Sequence, residues 1–159
     1  ESALTAVKVI STKLSNFKLF VVGDGDFDYI QQLKKFVISS RLQKNVEFLG
    51  KISDSQRNNL YARCHFLIHP SFKEGFGLTV LEAAASGTPT IARQGSSMDE
   101  LIENGKNGLL FTTDMQISKL FIKYFDNAKY QRLAGNAFEM SQKYDWKQTL
   151  FNSKKVTQV

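Results

Sequence analysis

The chain has 159 residues, 42% hydrophobic and 23% charged, with two prolines, ten glycines and a lone cysteine. That length fits one domain able to bury roughly 70% of the surface its unfolded chain would expose, and the composition excludes collagen, a disulfide-stapled scaffold and a wholly disordered chain. The net charge of +6 is scattered from Lys8 to Lys155, which reads as solvated faces rather than the basic stripe of a nucleic-acid binder.

Taken in order, the chain alternates helical and extended signals. Leu4, Val7 and Ile10 recur at helical spacing and predict a helix over 2–13. A parallel α/β domain usually starts with a strand, so the expectation is that a first strand has been cut away ahead of Glu1. Short apolar runs then predict strands at Lys18–Val22, Val46–Leu49, Phe66–His69, Pro89–Ala92 and Leu109–Phe111. Between them fall predicted helices at 26–42, 54–63, 78–86 and 98–103, followed by a helical tail at 114–126, 128–143 and 146–156. Ser53 with Gln56, Ser97 with Glu100 and Thr113 with Gln116 each fit a capping box, and Asp26 fits a helix cap. Gly87 followed by Pro89 reads as a helix stop. The thirteen phenylalanines are expected mostly in the core.

This rhythm predicts an α/β fold with a Rossmann-like, doubly wound parallel sheet, because parallel neighbours need crossover helices. Ligands of such sheets bind beyond the carboxyl ends of the strands, here the loops after Val22, Leu49, His69 and Ala92.

The densest chemistry lies in H-P-S-F-K-E-G-F-G-L-T-V-L-E-A-A-A-S-G-T-P, from His69 to Pro89. A strand ends, a turn with Gly75 and Gly77 follows, and a helix begins near Gly77. Its first amides are unpaired and offer a seat for phosphate. Glu74 lies in the turn and Glu82 about one helical turn inside, with Leu78, Leu81 and Ala85 expected to face inward. A carboxylate placed there repels diphosphate but accepts hydrogen bonds from hydroxyls, which a nucleotide sugar carries on both sides of its diphosphate. The competing reading is that both acids merely favour the helix terminus, at ~0.3–1 kcal/mol each.

Glu74 and Glu82, separated by the seven residues G-F-G-L-T-V-L, resemble the E-x7-E motif of the retaining group 1 glycosyltransferases. The likeness extends in order over nearly the whole chain, through V-V-G-D-G (Val21–Gly25), V-E-F-L-G-K-I-S (Val46–Ser53) and L-Y-A-R-C (Leu60–Cys64). It continues through S-G-T-P (Ser86–Pro89), E-L-I-E-N-G-K-N-G-L-L-F (Glu100–Phe111) and Trp146. The resemblance implies the C-terminal, donor-binding half of the two-domain GT-B fold, spanning residues 1–159. The acceptor-binding N-terminal domain, and a basic Arg and Lys that clamp diphosphate, would lie before Glu1. It implies Glu74 as the catalytic-site acid facing the donor sugar and Glu82 facing the ribose. Gly75, Phe76 and the backbone of Gly77, Leu78 and Thr79 would border the diphosphate, and Lys51–Ile52 the base. It implies no cofactor or metal, the nucleoside diphosphate sugar being the donor substrate. The chain departs from many relatives at Ser96-Ser97, where they carry two glycines, and at Asp26, where they carry proline.

Weaker candidates remain beside these. Gly23 follows a strand and is a candidate nucleotide contact, although Asp24, Asp26 and Asp28 nearby would repel diphosphate. Lys73 stands beside Glu74 within reach of a phosphate, or is simply solvated. Cys64, His65 and His69 do not make a metal site, since His65 and His69 would stand about 13 Å apart on an extended strand. The expectation is a donor-binding half that is inactive alone, cytoplasmic or at the inner face of a membrane if the acceptor is a lipid. The alternatives are a non-catalytic nucleotide-sugar-binding or regulatory module and, further off, a nucleic-acid binder with steeply salt-dependent affinity.

Overall fold

The computed structural model describes residues 1–72, 75–95, 97–125 and 127–144; Trp146 and the helix expected at 146–156 lie outside them. The elements follow in the order α1 (Ser2–Ile10), β1 (Leu19–Val22), α2 (Phe27–Ser39), β2 (Val46–Gly50), α3 (Asp54–Arg63), β3 (Leu67–His69) and α4 (Leu78–Ala85). The series continues with β4 (Thr90–Arg93), α5 (Met98–Leu101), β5 (Gly108–Phe111), α6 (Asp114–Tyr124) and α7 (Asn127–Ser141), closed by a single 3-10 turn at Gln142–Tyr144.

All described strand pairs are parallel, as the crossover helices require. They form two sheets rather than one, a pair β1–β2 and a triplet β3–β4–β5. Helix α1 lies over both. Leu4 and Val7 pack with Leu19, Val21, Val37 and Val46 of the first sheet's cluster, while Ala6 packs with Ile91, Leu109 and Phe111 of the second. The opposite face of β4 is covered by Val80 of α4 and by Met98 and Leu101 of α5, around Ala92.

Several helices stop short of their apolar pattern, each for a local reason. Helix α1 ends at Ile10 because the Ser11 and Thr12 hydroxyls donate back to the Lys8 and Val9 carbonyls, both at 2.8 Å. Helix α2 ends at Ser39 because Arg41 adopts a left-handed φ of 58° and the Leu42 amide turns back to the Val37 carbonyl at 2.9 Å. Helix α5 is held to one turn by Asn107, whose side chain accepts from the Glu103 amide and donates to the Leu101 carbonyl. The cap at Asp26 forms, accepting from the Tyr29 amide at 2.9 Å, as does the Ser53–Gln56 box. At Thr113 the Gln116 side chain accepts from the Thr113 amide at 3.1 Å. The Ser97–Glu100 box does not form: Ser97 is itself helical (φ −54°, ψ −10°), and Asp99 instead accepts from the Gly95 amide.

The phenylalanines are less central than their number implies. Phe111 is fully buried, but Phe27, Phe72, Phe76, Phe125 and Phe138 are exposed. Among the described residues, no helix is long and apolar enough to cross a membrane.

Candidate functional site

The strands run parallel within each sheet, and the described candidates follow strand carboxyl ends, Gly23 and the Lys51–Ile52 loop in the first sheet and the Gly77 turn in the second. At the end of β1 the register slips after Val21, pairing Val22 with Gly50. Gly23, at φ +120°, donates its amide to the Gly50 carbonyl at 2.9 Å. This bond places Gly23 beside the loop that carries Lys51, which is exposed, and Ile52, which is half-buried.

Two strands away in the chain, β3 ends at His69 and helix α4 starts from Gly77, whose φ of +80° serves as its left-handed cap. The backbone angle favours glycine here, and a Cβ on Gly77 would stand 2.5 Å from Met98 Cε and 2.8 Å from Leu101 Cδ1, so these side-chain ends would have to shift. The Val80 and Leu81 amides make the first bonds of the helix, to the Gly77 carbonyl at 3.0 and 3.2 Å. The amides of Gly77, Leu78 and Thr79 therefore precede the helical ladder at its positive end. Gly75, Phe76, Leu78 and Thr79 are exposed around it. The Phe76 ring meets Tyr144 edge-on, centroids 6.2 Å apart. Lys73 and Glu74 lie outside the described residues.

The buried face of α4 is Val80, Ala83 and Ala84, which corrects the expectation of Leu78, Leu81 and Ala85. Leu78 turns outward at the helix start, Ala85 is exposed and Leu81 is half-buried, so the inward stripe is rotated about the helix axis. Glu82 remains at the edge of that stripe, its side chain 37% exposed.

Two arginines that the sequence reading passed over organise this edge. Arg57, on the first turns of α3, donates through Nη1 to Asp54 at 2.8 Å and through Nη2 to Glu82 Oε1 at 3.1 Å. It ties the helix after the Lys51–Ile52 loop to the helix after Gly77. Beneath the pair, burial and then the Glu82 charge push the Tyr61 phenol above its ordinary pKa. Arg93, at the carboxyl end of β4, is buried and donates to the carbonyls of Pro70 and Thr112 and to the Asp114 carboxylate. Its guanidinium also faces the Phe72 ring. The signal for Arg93 was in the sequence: a cation ending the apolar run T-I-A-R of a buried strand needs partners. Arg57 gave only a local hint, three residues after Asp54; its partner Glu82 is 25 residues away.

The remaining candidates fall elsewhere. His65 packs against the rings of Phe125 and Tyr130, at 5.1 and 5.2 Å between centroids. No group of three or more His, Cys, Asp or Glu side chains fit to hold a metal ion occurs among the described residues. A groove of about 350 Å³ runs between α1 and α6, lined by residues such as Val9, Met115 and Ile122, and contains none of the candidate residues.

Comparison with known proteins gives this geometry a setting. The sequence matches the family model described as glycosyl transferases group 1 over residues 1–140. It is 30% identical over 144 residues to an uncharacterized glycosyltransferase of Methanocaldococcus jannaschii, covering 89% of this chain and 40% of that relative's length. The fold superposes on Anabaena HepE, solved in complex with UDP and glucose, with a TM-score of 0.88 at 25% identity. That match covers 99% of this chain and 44% of that one. It also superposes on the C-terminal domain of a group 1 family protein, LpcC, from Francisella tularensis (TM-score 0.80, 28% identity, 90% of this chain and 77% of that one).

Proposed function

The chain belongs to the group 1 glycosyl transferases, and from that premise we propose that it is the donor-binding half of a retaining enzyme that transfers a hexosyl group from a nucleoside diphosphate sugar. The observation that carries the reading is the start of α4: three amides ahead of the helical ladder, a left-handed glycine that caps it, and Glu82 one turn inside. Breaking the bond from sugar to diphosphate accumulates negative charge on the leaving group. Fixed amide dipoles stabilise that charge without reorganising, at about 1.5–3 kcal/mol for a hydrogen bond to a charged group. The likeness to a structure holding UDP and glucose supports the choice of ligand.

Within this reading the Gly77, Leu78 and Thr79 amides hold the diphosphate, with Gly75 and Phe76 at its border. Glu82 accepts from ribose hydroxyls, and the Lys51–Ile52 backbone borders the base, with Gly23 alongside it. Glu74 orients the donor sugar and Lys73 reaches a phosphate. Neither acid is assigned as a nucleophile; their work is positioning and electrostatic. No metal or other cofactor takes part.

The division of the sheet supports a further element of the proposal. Helix α1 packs on both β1–β2 and β3–β5, the place a helix takes when it follows a strand lying between β1 and β3. We assign that position to a strand preceding Glu1, and acceptor binding to a separate N-terminal domain. The site of action is cytoplasmic, at the inner membrane face where the acceptor is a lipid.

The test is calorimetry of the chain with UDP, GDP and ADP. Wild type binds at least one of them, and Glu82→Ala weakens that binding about tenfold. Binding of none of the three overturns the reading, and measurable sugar transfer by this chain alone overturns the division into two halves.

A further inference from the structure

Resting on that nucleotide-sugar reading, we infer that Arg57 is a positioning residue for nucleoside recognition, one that orients the Glu82 carboxylate toward the ribose hydroxyls. An ion pair on an open surface contributes little and fixes nothing. This one differs in its anchoring. The Arg57 guanidinium is half-buried and forked, Nη1 on the exposed Asp54 of its own helix and Nη2 on Glu82 of α4, with the side chains of Arg57 and Glu82 30% and 37% exposed. Its Nε is buried. The start of α3 is itself fixed by the reciprocal Ser53–Gln56 cap, so the fork has a rigid base.

Two consequences follow for the ligand. Glu82 Oε1 is drawn to Arg57, with lone pairs of the carboxylate remaining for hydroxyl donors. The helix that follows the base-bordering loop and the acid that meets the ribose also become one unit. A nucleoside then finds its base edge and its hydroxyl acceptor at a set separation, and the ordering cost is met before binding.

The experiment pairs ligand and protein changes. Titrate the chain with the tightest binder among UDP, GDP and ADP and with the 2′,3′-dideoxy form of the same nucleotide. Wild type favours the ribose form by about tenfold. Glu82→Gln and Arg57→Ala each reduce that preference to within about twofold while leaving the dideoxy affinity unchanged, and Arg57→Lys restores part of it. If Glu82→Gln abolishes the preference and Arg57→Ala retains it, or if Arg57→Ala weakens both ligands alike, Arg57 plays no positioning part. If wild type shows no preference, or Glu82→Gln leaves it intact, the ribose role of Glu82 fails and the inference falls with it.

Discussion

The guanidinium of Arg93 stands 4.0 Å from the ring centroid of Phe72 and donates from Nε to the Pro70 carbonyl at 3.1 Å, so that β4 clasps the loop leaving β3. The same group reaches Thr112 and Asp114 where α6 begins. Arg93→Met removes every donor and leaves buried carbonyls unpaired, for an expected loss of about 2–4 kcal/mol. Phe72 is exposed, and Phe72→Leu gives up only the cation–π contact, about 0.5–1 kcal/mol. Urea denaturation of the two variants measures both losses; comparable values would mean that the clasp contributes no more than its outer ring.

Gly77 serves two ends at once, and a second glycine separates them. Gly77 and Gly87 have similar left-handed φ, +80° and +75°, but among the described residues a Cβ at Gly87 meets nothing within 4 Å. Gly87→Ala therefore carries the backbone cost alone, about 1–2 kcal/mol. Gly77→Ala adds the encounter with Met98 and Leu101, for a further loss of about 1 kcal/mol or more, since overpacking forces side chains from their rotamers. Equal losses in thermal denaturation would show that α5 yields freely and that the space at the helix start is not tightly held.

What the sequence made legible was whatever is decided locally. The parallel βαβ order follows from short apolar runs and cap signals, and the Asp26 and Ser53 caps formed because three residues suffice to make them. What stayed hidden was decided at a distance. Asn107 truncates α5 from beyond its end, and Arg57 finds Glu82 across 25 residues. The rotation of α4 stayed hidden because its apolar residues encircle the helix: V, L and A occur on every side, and packing against Met98 and Ala92 selects Val80. The Gly77 turn was readable because a strand end, two glycines and a helix start leave the backbone little choice. Ser97 stands at the cap position, yet its backbone is already helical and its side chain makes no cap bond, while Asp99 accepts from the Gly95 amide.

Asp114 gives the fold a dependence on acid. The Ser2 hydroxyl first, and then Arg93, hold its carboxyl below the usual carboxylate range. A carboxyl whose pKa is lower in the folded chain lends stability above its unfolded value, near 4, and loses it as pH falls through the lower folded value. Asp114→Asn should therefore lower stability at neutral pH and flatten the decline on acidification below about pH 4. Urea midpoints of both proteins between neutral pH and pH 2.5 provide the measurement. Parallel curves across that window would show that other carboxylates govern the acid limb.

Thr88 and Thr90, two residues apart and almost fully buried, should answer the same substitution with opposite signs. The Thr88 hydroxyl donates to the Tyr61 carbonyl and so ties the end of α4 to α3. Thr88→Val leaves that tie unmade, at a cost of about 1–2 kcal/mol. The Thr90 hydroxyl, on β4, is buried and has no hydrogen-bond partner among the described residues, so it carries a desolvation penalty without return. Thr90→Val keeps the shape and the β-branched preference for a strand while removing the penalty, for an expected gain of about 1 kcal/mol and a Tm higher by about 2–4 °C. Calorimetric melting of both variants decides the matter: a loss at Thr90 as large as that at Thr88 would mean that its hydroxyl is satisfied inside the fold.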